Sequence, residues 1–192
     1  MLTAGAVLLA AGRSRRFGAD KLLADLAGRP LIDHVLDAMA AHPFDAAICV
    51  VRTDAGIAER LKGRAIIPVV NGDADSGMGS SLAAGIAALP EVDSAFVVLA
   101  DMPRLPVEIF GHLAAAMTAS AADIVVPCHG GVQGHPVLFA RRCFPALMAV
   151  HGDTGGRDLI RSGAYSVTTV DSEDAGILFD VDTPRDLQAF RP

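Results

Sequence analysis

The sequence predicts an α/β fold in which helices cover both faces of a mainly parallel, Rossmann-like sheet. Short continuous apolar runs, typical of strands buried on both faces, recur along the chain. They lie at 5–10, 46–51, 65–70, 95–100 and 123–127. Stretches with helical spacing stand between and after them, at 30–41, 55–62, 79–89 and 106–119. Because strands and helices alternate, we expect right-handed crossovers and a three-layer α/β/α architecture.

The pattern changes after residue 127. A glycine-rich turn at 128–139 runs into a further strand. Beyond it we predict short helices and one more strand, in the order helix 140–150, helix 156–162, strand 165–170 and a terminal helix 184–190. There is no internal repeat, linker or low-complexity segment, so both halves should belong to one domain of 192 residues.

Composition excludes several classes of protein. A net charge of −6 argues against general nucleic-acid binding, which needs Lys and Arg against phosphates. No apolar run approaches the roughly 20 residues of a membrane span, and residues 1–11 lack the basic start of a signal peptide. Cys49, Cys128 and Cys143 lack the spacing of a zinc site. We therefore expect a cytoplasmic protein with reduced, buried thiols.

The loop after the first predicted strand, residues 9–21, concentrates positive charge on this acidic protein. Its basic residues are Arg13, Arg15, Arg16 and Lys21. Ligands of open α/β sheets bind beyond the carboxyl ends of strands, and the small residues at 10–12 let backbone N–H groups approach phosphate oxygens. The loop matches neither the P-loop nor the dinucleotide fingerprint. It predicts a site for a small polyanion; the alternative is a surface turn with solvated arginines.

Carboxylates occupy two positions suited to a metal. Asp101 follows the strand at 95–100 and should point into the cleft, where an Asp oxygen is a ligand that Mg²⁺ prefers. The alternative is a turn or helix-capping aspartate. Asp180 and Asp182 alternate along an extended segment and should face the same side. Asp186 falls in the first turn of the last helix, where it would interact with the helix dipole.

A family resemblance covers essentially the whole chain. Residues 9–23, LAAGRSRRFGADKLL, closely resemble the opening signature of MobA-like nucleotidyltransferases, the molybdenum cofactor guanylyl- and cytidylyltransferases. Further matching motifs follow in the expected order: GMGSSLAAG at 77–85, ADMP at 100–103, GHPVLF at 134–139 and GDTGGR at 152–157. The resemblance implies a sheet of the nucleotide-diphospho-sugar transferase type. It also implies a nucleotide-binding half at about 1–127 and an acceptor-binding half at 128–192.

The resemblance assigns roles to individual residues. The catalytic set is Arg16, Lys21 and Asp101; the nucleotide-binding set is Leu9, Ala10, Ala11, Gly12, Arg13, Lys21, Gly79, Ser80 and Ser81. Asp101 and Asp182 would bind the metal, with Asp180 as the competitor for the second position. His135 and Arg157 would line the acceptor side, although His135 could equally be a structural turn residue. For Ser80 and Ser81 the alternative is helix capping, which is compatible with binding.

The implied reaction transfers CMP from CTP to the molybdopterin cofactor and releases pyrophosphate. The GMGSSLAAG stretch and Ala11 look like the cytidylyltransferase branch, while Met102 departs from the Gln of many relatives. Mg²⁺ is the expected metal, with Mn²⁺ as the alternative, and a molybdenum hydroxylase is the implied client. The alternatives are a GTP-dependent enzyme, another small phosphate acceptor, or a non-catalytic accessory protein that binds nucleotide or cofactor.

Overall fold

A computed structural model describes residues 2–12, 17, 20–53, 56–152 and 155–190. The strands are β1 (Ala4–Leu9), β2 (Asp25–Leu26), β3 (Arg29–Pro30), β4 (Ala46–Val51), β5 (Ile67–Val70), β6 (Ser94–Leu99), β7 (Ile124–His129), β8 (Val132–Gln133), β9 (Val137–Ala140) and β10 (Val167–Asp171). The α-helices are α1 (Leu31–Ala40), α2 (Ile57–Arg60), α3 (Met78–Ala88), α4 (Glu108–Ser120), α5 (Phe144–Met148), α6 (Arg157–Arg161) and α7 (Pro184–Ala189).

One sheet forms the middle layer, with the strand order β10-β7-β9-β6-β1-β4-β5 and β8 paired to β7. The pairs β1–β4, β1–β6, β4–β5 and β7–β10 are parallel, which confirms the predicted mainly parallel sheet. β9 is antiparallel to both of its neighbours, β6 and β7. The small pair β2–β3 forms a separate antiparallel ribbon.

The antiparallel direction of β9, which was not predicted, follows from a tight turn. Gly130 and Gly131 have φ angles of 56° and 81°, the left-handed values that a two-residue hairpin turn of the I′ type requires. Both β8 and β9 pair with β7, so the chain returns along β7 after the turn. The predicted glycine-rich turn is therefore the tip of a hairpin whose returning arm lies between β6 and β7.

Alternating side chains of the buried strands divide the core into two apolar layers. In β6, Phe96 and Val98 join the layer that contains α1 and α4, whereas Ala95 and Val97 join the layer that contains α3, α5 and α6. Period-two alternation places successive side chains on opposite faces of a sheet. Helices therefore cover both faces, as predicted.

The short ribbon β2–β3 was not predicted, and further differences from prediction lie at element ends. Helix α2 spans only Ile57–Arg60, and β5 begins at Ile67 rather than at 65. All three cysteines are free and buried, as expected, and burial raises the pKa of the Cys49 thiol to about 12. In the described part of the chain, no helix is long and apolar enough to cross a membrane.

Candidate functional site

Lys21 follows β1 along the chain and Asp101 follows β6. Their side chains meet at the edge of the sheet formed by the carboxyl ends of these strands. A short 3₁₀ turn at Lys21–Leu23 carries the lysine, and the Asp20 carboxylate caps it by accepting from the N–H of Leu22 at 3.2 Å. Leu22 is buried and anchors the turn in the core. The lysine is thus presented by a capped, anchored turn.

The ammonium group of Lys21 lies among three oxygens. It donates to Asp101 Oδ2 at 2.7 Å, to the Val181 carbonyl at 2.8 Å and to Asp182 Oδ1 at 3.2 Å. The side chains of Lys21 and Asp101 are 14% and 22% exposed, whereas that of Asp182 is 53% exposed. The structure thus brings together three residues that are distant in the sequence.

Burial and the local charges shift the pKa values of Lys21 and of the nearby Asp180. Burial alone would lower the pKa of Lys21, but attraction and hydrogen bonding to Asp101 and Asp182 raise it above its ordinary value. Desolvation raises the pKa of Asp180, and the neighbouring carboxylates of Asp182 and Asp101 raise it further. The cleft therefore concentrates negative charge, and a bound cation would relieve it.

A backbone hydrogen bond holds the acidic segment at residues 180–186 against Asp101. The N–H of Val181 donates to the Asp101 carbonyl at 2.9 Å, and the Val181 side chain is fully buried. Asp186 accepts from the N–H of Asp182 at 3.0 Å and from the N–H of Thr183 at 2.7 Å, completing a capping box at the start of α7. Asp186 therefore holds the segment in place, a more specific task than the predicted dipole interaction.

The donor set at this position suits a hard divalent cation that also binds a phosphate ligand. Among the described residues no group of three His, Cys, Asp or Glu side chains forms a complete metal cage. Two carboxylates, Asp101 and Asp182, nevertheless converge within hydrogen-bond distance of one cationic atom. Mg²⁺ is usually bound by one or two carboxylates together with phosphates and waters, so the residues present fit it.

A cavity of about 420 Å³ opens beside Asp101. The β1 loop contributes Leu9, Ala11 and Gly12 to its lining, and the segment that leads into α3 contributes Ala74, Asp75, Ser76, Gly77, Met78 and Ser81. Leu99 and Asp101 complete the wall. The first residues of the predicted polyanion-binding loop and the start of α3 thus line the same cavity.

Helix α3 begins differently from the capping interpretation of Ser80 and Ser81. Its N-cap is Gly77, whose φ of 112° suits glycine, so neither serine caps the helix. Ser81 lines the cavity and its hydroxyl accepts from Asn71 at 3.1 Å. The Ser80 hydroxyl lies 2.9 Å from the carbonyls of both Asp73 and Gly77, so it stabilises the preceding loop.

Gly79 and Ala10, which were also predicted to bind nucleotide, make contacts within the protein itself. The N–H of Gly79 donates to the Gly152 carbonyl at 2.8 Å, and a Cβ at Gly79 would lie 2.9 Å from the Val150 carbonyl oxygen. Ala10 is 2% exposed in the core, and its N–H donates to the Val50 carbonyl at 2.9 Å. Gly79, Ser80 and Ala10 are absent from the cavity lining within the described residues. Their contact with a nucleotide therefore stays a prediction.

A second cavity of about 450 Å³ contains both predicted acceptor residues, His135 and Arg157. Arg161, one turn further along α6, and Gln133 add polar groups to its lining. Its apolar wall includes Val97 of β6. Since Val97, Leu99 and Asp101 alternate along one face of β6 and its extension, the two cavities follow the same face of this strand towards Asp101.

His135 is the histidine that lines the second cavity. Its Nδ1 atom is buried without a hydrogen-bond partner among the described residues. Burial lowers the pKa of His135 against the attraction of Asp101, and hydrogen bonding to the Val97 backbone opposes this shift while Arg157 adds to it. The lowered pKa favours the neutral imidazole at His135.

Two predicted residues, Arg13 and Arg16, lie outside the described residues. Arg161 was not predicted as a site residue, although its spacing of four from Arg157 on a predicted helix indicates a shared face. For Asp75 and the Val181 carbonyl, no sequence pattern indicated a place in the site. A backbone carbonyl has no residue type to mark it, and Asp75 resembles any polar turn residue.

The chain matches the family model of the MobA-like NTP transferase domain over residues 6–169. It is 31% identical to the purine catabolism protein PucB of Bacillus subtilis, over 96% of this chain and 94% of that protein. It is 31% identical to nicotine blue oxidoreductase of Paenarthrobacter nicotinovorans, over 92% of this chain and 91% of that protein. Identity to the molybdenum cofactor cytidylyltransferase of Escherichia coli is 27%, over 94% and 92%, and guanylyltransferases of Shewanella species match as well.

Solved structures give the same grouping. Rv0371c of Mycobacterium tuberculosis superposes with a TM-score of 0.82 at 26% identity, covering 98% of this chain and 97% of that one. A complex of Rv0371c with manganese superposes with a TM-score of 0.80 at 25% identity, over 98% and 97%. The 4-diphosphocytidyl-2C-methyl-D-erythritol synthase of Anaerococcus prevotii has the same fold, with a TM-score of 0.79 at 16% identity over 98% and 94%. The fold is therefore that of the nucleotide-diphospho-sugar transferases.

Proposed function

The chain belongs to the MobA-like NTP transferase family and is a nucleotidyltransferase, and we propose that it transfers CMP from CTP to the molybdopterin cofactor. The observation that carries the proposal is the convergence of Lys21, Asp101 and Asp182 beside a cavity formed by the β1 loop and the start of α3. This arrangement supplies a cation, a metal-binding pair and a polar pocket at one place.

The cavity of about 420 Å³ beside Asp101 is the proposed donor cavity, and its lining suits a nucleoside triphosphate. Gly12 and the other small residues of the β1 loop allow close approach of phosphates, and the N-terminus of α3 favours anions. CTP is preferred over GTP because residues 77–85 and Ala11 resemble the cytidylyltransferase branch. The relatives include both cytidylyl- and guanylyltransferases, so GTP is the second candidate donor.

Asp101 and Asp182 are the proposed ligands of Mg²⁺, and Mn²⁺ is the alternative because a relative of the same fold is known as a manganese complex. When bound there, the cation would offset negative charge on the triphosphate. Asp180 lies on the same segment, and burial together with the nearby carboxylates raises its pKa, so it is less readily ionised than an ordinary aspartate. We therefore assign it no direct ligand role.

The second cavity is the proposed acceptor site. Arg157 and Arg161 would bind the acceptor phosphate, while Val97, Val126 and Phe139 offer apolar surface to a ring system. The name of one relative, a molybdenum cofactor cytidylyltransferase, supports the molybdenum cofactor as acceptor, and a molybdenum hydroxylase is the client we propose. The path from this cavity to Asp101 along β6 supports a transfer between the two.

The proposed chemistry is an in-line displacement at the α-phosphorus of CTP. An oxygen of the acceptor phosphate forms a bond to that phosphorus while the bond to the β-phosphate oxygen breaks, and pyrophosphate leaves with the electron pair. Lys21, together with Arg16, would stabilise the charge that develops on the phosphates. An ionised phosphate needs no general base, so the protein contributes positioning and electrostatic stabilisation.

The test is release of pyrophosphate from each of the four NTPs, with Mg²⁺ and with or without molybdopterin. We expect CTP and molybdopterin together to give the fastest release, and Asp101→Asn to reduce it by about 10³-fold or more with an unchanged circular dichroism spectrum. Faster release from GTP would reassign the donor. Tight CTP binding without release from any pair would instead favour a non-catalytic accessory protein.

A further inference from the structure

The Lys21 ammonium group occupies the position at which the two carboxylates converge. Its Nζ atom is 2.7 Å from Asp101 and 3.2 Å from Asp182, and the Val181 carbonyl closes a third side at 2.8 Å. Carboxylate and carbonyl oxygens are the donor types that hard divalent cations select. The positively charged ammonium group of Lys21 thus binds the same oxygens that a metal ion would bind.

We propose that Lys21 is an internal counter-ion that competes with free divalent cations for Asp101 and Asp182. The inference rests on the proposed function for the identity of the triphosphate, but the competition itself involves only residues of this chain and a metal ion. A cation that enters alone must displace the ammonium group from three oxygens. A cation that arrives with a triphosphate also brings phosphate oxygens, to which the displaced ammonium group can move.

Two features of the site support this exchange. Lys21 is carried by a short capped turn, so its Nζ can be redirected by side-chain rotation while Leu22 stays anchored. The donor cavity lies directly beside Asp101, so the displaced ammonium group has a phosphate-sized space next to it. The consequence is that the site binds a metal ion together with a nucleotide in preference to a metal ion alone. A metal ion alone would neutralise the carboxylates without leading to a reaction.

The experiment is titration of the nucleotide-free protein with Mn²⁺, with free Mn²⁺ followed by electron paramagnetic resonance. Lys21→Met removes the charge and keeps the length of the side chain. We expect it to bind Mn²⁺ at least about tenfold more tightly than the wild type, because a single charge-assisted hydrogen bond is worth a factor of about ten or more. In the same variant, turnover should fall, so metal affinity and activity move in opposite directions.

Control variants separate this competition from other effects. Lys21→Arg keeps the charge and should bind Mn²⁺ as weakly as the wild type, while Lys62→Met changes a surface lysine paired with Glu59 and should leave Mn²⁺ binding unchanged. Adding Asp101→Asn to Lys21→Met should abolish the gain, which shows that the ion binds at this site. If Lys21→Met fails to fold, Lys21→Gln takes its place.

Equal or weaker Mn²⁺ binding by a folded Lys21→Met variant would overturn the competition. A gain that survives Asp101→Asn would overturn it too, since the ion would then bind elsewhere. These results do not depend on nucleotide turnover. Failure of the proposed function would appear separately, as absence of pyrophosphate release in the wild type.

Discussion

At the residue scale, the central feature is a lysine shared by two carboxylates that are eighty and more positions away in the sequence. Asp101 was predictable because it directly follows a buried strand, and Lys21 because it ends a basic loop at a strand end. The preference for Asp182 over Asp180 rested on resemblance alone, since alternation places both on one side. The contact of Lys21 with Asp182 at 3.2 Å now adds a geometric reason.

Substitution of the two late aspartates should separate their roles. We expect Asp182→Asn to lower kcat by about 10²-fold, because it removes a proposed metal ligand. Asp180→Asn should lower it by less than about tenfold, and serves as the matched control on the same segment. Steady-state pyrophosphate release at saturating Mg²⁺ is the measurement. A larger loss for Asp180→Asn would exchange the two assignments.

Arg157 should affect the acceptor and not the nucleotide. Replacement by Gln removes a charged donor from the second cavity, so the KM for molybdopterin should rise by about tenfold or more while the KM for CTP stays constant. Arg64→Gln removes an arginine that instead pairs with Asp37 on α1, and should change neither constant. An Arg157→Gln variant whose KM rises for CTP alone would contradict the assignment of the second cavity.

At the element scale, α3 connects the site to the sheet. Its N-terminus lines the donor cavity, and its middle packs so closely on β1 and β4 that only glycine fits at position 85. A Cβ there would lie 2.3 Å from Val7 and 2.9 Å from Val50. The sequence predicted this helix but not its closeness to the strands, because a helical pattern carries no information on the distance to a neighbouring element.

Gly85→Ala should therefore destabilise the protein, despite the higher helix propensity of alanine. We expect a loss of about 1–3 kcal/mol in the free energy of unfolding from overpacking against Val7 and Val50. Gly111→Ala is the matched control in α4, where a Cβ meets no atom within 4 Å, and should add about 0.5–1 kcal/mol. Urea unfolding measures both. Equal changes in the two variants would contradict the described packing of α3.

Asp123 connects the start of β7 to the segment before β10. Its Oδ2 accepts from the N–H and hydroxyl of Ser166 at 2.7 and 2.6 Å, and its Oδ1 pairs with Arg142 at 2.8 Å. Burial alone would raise the pKa of Asp123, but the hydrogen bonds from Ser166 and the charge of Arg142 lower it below 3.8. The ionised carboxylate therefore stabilises the folded state.

This stabilisation should disappear in acid. Because the folded pKa lies below the unfolded value of 3.8, the contribution is fully present above that pH and is lost as the pH falls through the folded pKa. Asp123→Asn should be about 1–2 kcal/mol less stable than the wild type at pH 7, with the difference shrinking below pH 3.8. Urea unfolding across this range measures it; a constant difference at every pH would refute the role of the charge.

At the scale of the whole molecule, one sheet runs without interruption from β5 through β1 and β6 to β10. Its parallel part was predictable, because buried parallel strands leave continuous apolar runs. The insertion of β9 between β6 and β7 was not, because a hairpin arm and a parallel strand have the same short apolar pattern. His135 lies just before this inserted arm, hydrogen-bonds to the backbone of Val97 in β6 and is attracted electrostatically by Asp101.

The most direct test of nucleotidyl transfer follows the two ends of the triphosphate separately. The protein is incubated with Mg²⁺, molybdopterin and CTP labelled in either the α- or the γ-phosphate. We expect the α-label to appear in the molybdopterin product, the γ-label to leave in pyrophosphate, and Asp101→Asn to prevent both. Transfer of the γ-label to the acceptor, or no transfer of either label from any NTP, would contradict this expectation.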